Sequence, residues 1–158
     1  MATGPVIIGY DGSESADLAL RRAAALLAPR PALVVVVWEA GEAFEATMVP
    51  NLGLVPAPLD FRRAMELDEA MYERAQRLAR RGADLARELG LDAEGLAVAD
   101  DITVGDTLIR LAKEHDSQAI VVGTHGHSAL GEVLLGRTAH IVVQHAPCPV
   151  VVVRKHDH

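Results

Sequence analysis

Five short runs rich in valine and isoleucine punctuate the chain, at residues 6–10, 32–38, 96–99, 119–123 and 150–153. Between them lie longer stretches whose apolar positions recur every three or four residues. Strand-like runs alternating with helical periods predict βαβ units and a parallel sheet. Most of the runs are continuously apolar rather than alternating, which requires cover on both faces of that sheet.

A first helix is expected over 13–27, with Ser13 as its cap and Glu14 and Asp17 favouring its N-terminal dipole. Its inward stripe reads Ala16, Ala19, Ala23, Leu26 and Leu27, and Pro29 ends it. A long second helix is expected over 61–89. Its stripe runs through Ala64, Leu67, Met71, Ala75, Leu78, Gly82, Leu85 and Leu89, Met65 and Met71 serve as core fillers, and Gly90 is the stop. Two further helices are predicted over 107–115, with Leu108, Leu111 and Ala112 inward, and over 138–145. Residues 41–60, with three prolines and two glycines, form a variable loop in this reading, and 155–158 a frayed tail.

Length and charge narrow the picture. A chain of 158 residues fits a single domain, 1–158, and its net charge of −7 argues against nucleic-acid binding, which needs clustered cations. The longest apolar run, 32–38, is far shorter than the roughly 20 residues of a membrane helix. Residues 1–5 lack the basic stretch of a secretory leader, so a cytoplasmic location is expected. Cys148, the single cysteine, reads as a small buried hydrophobe.

The segment 121–139 carries the candidate chemistry. It leaves the carboxyl end of a strand, passes Gly123, Gly126 and Gly136, and enters a helix at Arg137 and Thr138. Open α/β sheets bind ligands at such places, and glycines followed by a helix N-terminus suit an anion. Neither a G-x-x-x-x-G-K-[ST] loop nor a G-x-G-x-x-G turn after the first strand is present. His125 and His127 lack a third metal ligand nearby, and Ser128 lacks an orienting carboxylate, so neither a metal site nor a nucleophile is expected there.

The spacing Gly123-x2-Gly126-x9-Gly136 resembles the ATP-binding motif of the universal stress protein family, G-x2-G-x9-G-(S/T). The opening Ile7-Ile8-Gly9-Tyr10-Asp11-Gly12-Ser13 and the closing Pro147-Cys148-Pro149 before four valines are similar to that family's first and last strands. The resemblance implies an open five-stranded parallel sheet of order 3-2-1-4-5 with helices on both faces, Rossmann-like and of the adenine nucleotide alpha hydrolase-like kind. It implies ATP as the ligand, with or without magnesium, and a homodimer through the C-terminal edge strand. By position, Asp11 would meet the adenosine, Gly9 and Val37 the base, Gly123, His125 and Gly126 one side of the phosphates, and Gly136, Arg137 and Thr138 the other. Gly105, opening the third helix, is a further candidate. Arg137 departs from the family's Ser or Thr and offers a guanidinium to the phosphates, and Thr138 replaces the missing hydroxyl only if the turn shifts.

The expected function is a stress-response module whose ATP occupancy sets its conformation or partners. A slow ATPase and a dimeric scaffold without nucleotide remain as alternatives. A phosphoacceptor built on Asp11, Asp100, Asp101, Thr124 and Lys155 is disfavoured, because its first and third acidic sites lie too far apart along the chain.

Overall fold

A computed structural model describes residues 2–40, 58–124 and 135–154, with the backbone alone at 58–61. In chain order the elements are β1 (Val6–Gly9), α1 (Glu14–Leu27), β2 (Pro31–Trp38), α2 (Pro58–Glu88), β3 (Asp92–Ala99), α3 (Val104–Glu114), β4 (Ile120–Gly123), α4 (Arg137–His145) and β5 (Val150–Val153). The strands form one sheet in the order β3-β2-β1-β4-β5, all parallel, as expected. The expected loop at 41–60 falls largely outside the described residues, apart from the start of α2, and so does the tail at 155–158.

Alternate residues of each strand face opposite layers. Val6, Ile8, Val34, Val36 and Val121 pack under α1 and α2, whereas Ile7, Leu33, Val35, Ile120 and Val122 pack under α3 and α4. This two-sided burial is why the strands read as unbroken hydrophobic runs. The edge strand β3 starts at Asp92, four residues before the expected Leu96, because ladder pairing to β2 from Pro31↔Asp92 onward holds residues that carry little apolar character. Gly95 in that stretch permits close approach of α2: a Cβ there would lie 2.5 Å from the carbonyl oxygen of Ala79.

Helix boundaries follow local chemistry. Ser13 caps α1, its Oγ accepting the N–H of Ala16 at 3.1 Å. Thr103 caps α3 in the same way and also donates to the carboxylate of Asp106, a reciprocal capping arrangement. The second helix ends in a Schellman turn, Gly90 at φ 99° with Leu91 N–H bonded to Ala86 O and Gly90 N–H to Arg87 O.

Two stripes need correction. On α1 the buried set is Ala16, Ala19, Leu20, Ala23 and Ala24, and Leu26 is 68% exposed, since small residues bring this helix close and shift the contact line by one position. On α2 the expected Ala64, Ala75 and Gly82 are buried and Leu78, Leu85 and, just past its end, Leu89 pack against the core, with Ala79, Ala83 and Ala86 beside them, while Met65 and Leu67 are exposed. Trp38, the last residue of β2, stacks on Tyr72 with centroids 5.6 Å apart, which sets Tyr72 level with the end of the sheet. Met65 and Leu67 lie in the turns before Tyr72 and are exposed, whereas Ala64 in the same turns is buried. No described helix is long and apolar enough to cross a membrane.

Candidate functional site

The sheet's topology reverses between β1 and β4: the chain leaves β1 towards β2 and β3, then returns to the other side for β4 and β5. A cleft of about 180 Å³ opens at the carboxyl ends of these two strands. It is the crevice that strand order reversal creates in open α/β sheets.

The β1–α1 turn forms one wall. Asp11 Oδ1 accepts the N–H of Ser13 at 2.9 Å, which tightens the turn, and Gly12 at φ 78° completes it. A Cβ on Gly12 would sit 2.6 Å from Leu78 Cδ2, so α2 rests directly on this turn. Tyr10 lines the cleft while its hydroxyl donates to Asp17 Oδ1 at 2.6 Å. Burial, reinforced by that hydrogen bond, pushes the phenol up to about 12 and keeps it neutral.

The opposite wall is apolar. Val35 and Val37 from β2, Val104 and Leu108 from α3, and Val122 from β4 converge on it. Gly9 ends β1 beside them, and a Cβ there would lie 3.2 Å from Leu108 Cδ1, so the glycine lets that leucine reach the floor. Such a surface suits the flat face of an aromatic ring.

The polar end lies where α4 begins. Gly136, its N-cap at φ −57° and ψ 158°, donates its N–H to Thr124 O at 2.8 Å, and Thr124 N–H donates to Val153 O. The chain thus leaves β4 and re-enters α4 through one hydrogen-bonded neck. The N–H of Gly136 is thus committed to Thr124, and the donors expected beside it are the N–H groups of the next two residues, Arg137 and Thr138. The N–H groups of Arg137, Thr138 and Ala139 have no acceptor within the helix and carry the positive end of its dipole.

Of the ten sequence-predicted site residues, the cleft brings together Gly9, Asp11, Val37, Gly123 and Thr138. Gly136 and exposed Arg137 stand at the α4 terminus beside Thr138. His125 and Gly126 lie outside the described residues. Gly105 sits in the seam between α3 and α4, where a Cβ would come within 2.8 Å of Ile141 Cγ2, a packing reason for glycine that needs no ligand. Sequence reasoning missed Tyr10, Ser13, Ala16, Val35, Val104, Leu108 and Val122. The signal for Val35 was available, since it shares a strand face with Val37, whereas Val104 and Leu108 are one helical turn apart on a helix whose start was placed three residues late.

Among the described residues no group of three or more His, Cys, Asp or Glu is arranged to hold a metal. Cys148 packs against the core under α3 and α4, and burial pushes its thiol up, which leaves little thiolate.

The sequence pattern defining the universal stress protein family matches residues 3–154. The chain belongs to that family. Within it, a universal stress protein of Mycolicibacterium smegmatis is 32% identical over 96% of this chain and 48% of its own length. The YxiE protein of Bacillus subtilis is 28% identical over 94% of this chain and 97% of its own. The chain therefore spans about half of the first relative and nearly all of the second. Among solved structures, MJ0577 of Methanocaldococcus jannaschii superposes with a TM-score of 0.77 at 19% identity, each chain fully covered. A universal stress protein of Archaeoglobus fulgidus in complex with dAMP gives 0.63 at 21%, covering 96% of this chain and 98% of its own. A family member from Arabidopsis thaliana with AMP bound gives 0.60 at 16%, covering 97% and 92%. These universal stress protein structures share the doubly wound fold, and nucleotide binding is established for those two neighbours by their own complexes.

Proposed function

We propose that this universal stress protein is a cytoplasmic regulatory module that binds adenosine phosphates, ATP foremost, in the cleft between β1 and β4, and that occupancy sets its conformation or partners. The observation that carries the reading is the pairing of an apolar wall, Val35, Val37, Val104, Leu108 and Val122, with the N–H groups at the start of α4 that have no acceptor within the helix. A base and a phosphate need those two surfaces at a short distance from each other. The dAMP and AMP complexes of structural neighbours support the same assignment.

Asp11 is the one carboxylate among the described lining residues, and its Oδ1 already accepts from Ser13. The cleft is therefore read as a place to hold nucleotide rather than hydrolyse it, and a magnesium ion would be carried mainly by the nucleotide's own phosphates. Arg137 follows the N-cap with its side chain exposed, so its guanidinium is free to meet outer phosphate oxygens with two parallel N–H bonds.

Calorimetric titration of AMP and ATP into wild type and Arg137→Ala tests both statements. Both nucleotides are expected to bind wild type, and the variant is expected to lose about tenfold in ATP affinity, with AMP spared, which is the worth of one charge-assisted contact. Equal ATP affinity in the two proteins would remove Arg137 from the site. Failure of wild type to bind either nucleotide would overturn the reading as a whole.

The same proposal includes a homodimer through β5. Among the described residues this strand pairs only with β4, and it presents Val150, Val151 and Val152 half-buried at the sheet margin. An apolar edge of that kind invites a second strand, and two-fold pairing satisfies both copies at once. Sedimentation should give a dimer for wild type and a monomer for Val152→Pro, which removes an N–H on the open edge, since Pro149 and Val153 on the alternate register bond to β4. A monomeric wild type at micromolar concentration would refute the pairing.

A further inference from the structure

A second depression lies away from the sheet's carboxyl rim, in the furrow between α1 and α2, with a volume of about 500 Å³. Its walls carry Arg21 from α1 and Arg77, Arg80 and Arg81 from α2. The carboxylates that share it are Asp17, Asp84 and Glu88. Two of those three are already engaged. Asp17 accepts from the Tyr10 hydroxyl and lies 3.6 Å from Arg81, and Asp84 is paired with Arg87 at 2.7 Å.

Arg21, Arg77 and Arg80 are different. Among the described residues none of them has a carboxylate within ion-pair distance. Three guanidinium groups therefore face one furrow against the single remaining charge of Glu88, in a chain whose net charge is −7. Arg77 also stands three and four residues before Arg80 and Arg81, a spacing at which like charges destabilise a helix. A solvated helix face built for stability alone would alternate the signs.

The shape of the charge defines the guest. The cationic stretch on α2 covers little more than one turn, from Arg77 to Arg81, and Asp84 and Glu88 follow on the same wall. A long polyanion such as a nucleic acid would run into those carboxylates. A compact anion with several charges would not, and guanidinium forks match phosphate oxygens two at a time. The furrow's volume is that of a small-ligand site. We propose that the α1–α2 furrow is a second anion site, separate from the nucleotide cleft, which takes a di- or triphosphate group through Arg21, Arg77 and Arg80.

The group's source is either free polyphosphate or the tail of a nucleotide, and two titrants separate them. Inorganic tripolyphosphate and ATP are titrated at low salt into wild type, Arg77→Gln/Arg80→Gln and the cleft variant Gly136→Val. Exposed glutamines keep helix propensity, and circular dichroism checks that the fold survives. Tripolyphosphate is expected to bind wild type and Gly136→Val alike, to lose about tenfold or more in the double variant, and to weaken as salt rises. A second equivalent of ATP in wild type, missing in the double variant, would support a nucleotide tail as the source. Binding of tripolyphosphate alone at this site would support the free anion. No binding to wild type, equal affinity in the double variant, or a loss confined to Gly136→Val would each overturn the proposal.

Discussion

Gly136→Val is expected to lower AMP affinity about a hundredfold while leaving the melting temperature nearly unchanged, a loss of roughly 2.7 kcal/mol in binding. The backbone there has φ −57° and ψ 158°, which valine adopts readily, so no left-handed strain enters the comparison. Its N–H would still donate to Thr124 O, and the neck between β4 and α4 would hold. What changes is the approach to the N–H groups of Arg137 and Thr138, because a branched side chain at the N-cap stands where a phosphate must come close. Calorimetry with AMP, beside a thermal melt, checks both halves. Unaltered affinity with an intact fold would move the phosphates away from α4.

The second large effect concerns stability. Gly95→Val is expected to cost about 3 kcal/mol, the upper end of ordinary overpacking, because the added atoms meet backbone rather than a side chain able to turn aside. A Cβ on Gly95 would lie 2.5 Å from Ala79 O, 2.7 Å from Ala79 C and 3.2 Å from Arg80 N. Relief requires lifting α2 off β3, which uncovers Ala79, Ala83 and Ala86 on its inward face. Gly95→Ala, which adds the clashing atom alone, should show most of the loss. Urea midpoints of the three proteins measure it, and a change under about 1 kcal/mol would mean that the helix can slide without penalty.

The fold was legible where burial is two-sided. β1, β2, β4 and β5 are covered by helices above and below, so each announced itself as a valine or isoleucine run within a residue or two of its true bounds. β3 was legible only in its second half, since an edge strand is held by ladder bonds to β2 and its polar first half leaves no hydrophobic trace. In the stripes of α1 and α2 the expected alanines and Leu27, Leu78, Leu85 and Leu89 do meet the core, whereas Leu26, Met65 and Leu67 are exposed and Ala79, Ala83 and Ala86 add contacts that short side chains allow. In the cleft, Asp11, Gly9 and Val37 were named through the family resemblance, while Gly123 stood out by its place after a strand. Val104 and Leu108 did not, because a helical valine and leucine look alike whether they face core or crevice. The commitment of Gly136 N–H to Thr124 is a matter of geometry alone, invisible in any motif.

The neighbour relations of β1 also carry a consequence for how the protein is made. Ile7 lies beside Leu33 on one side and beside Ile120 on the other, so the first strand synthesised acquires its second partner only after most of the chain exists. A chain emerging from the ribosome completes β1, β2 and β3 with α1 and α2 first, and until β4 arrives it carries β1 as a bare, fully apolar margin exposed to other chains. The crevice is absent throughout that interval, for its far side is β4 and α4. A ligand seated there touches the early half through Asp11 and Val37 and the late half through Gly123 and Thr138. It acts as a rivet across the last seam to close, and its binding energy opposes the separation of that seam in the finished protein.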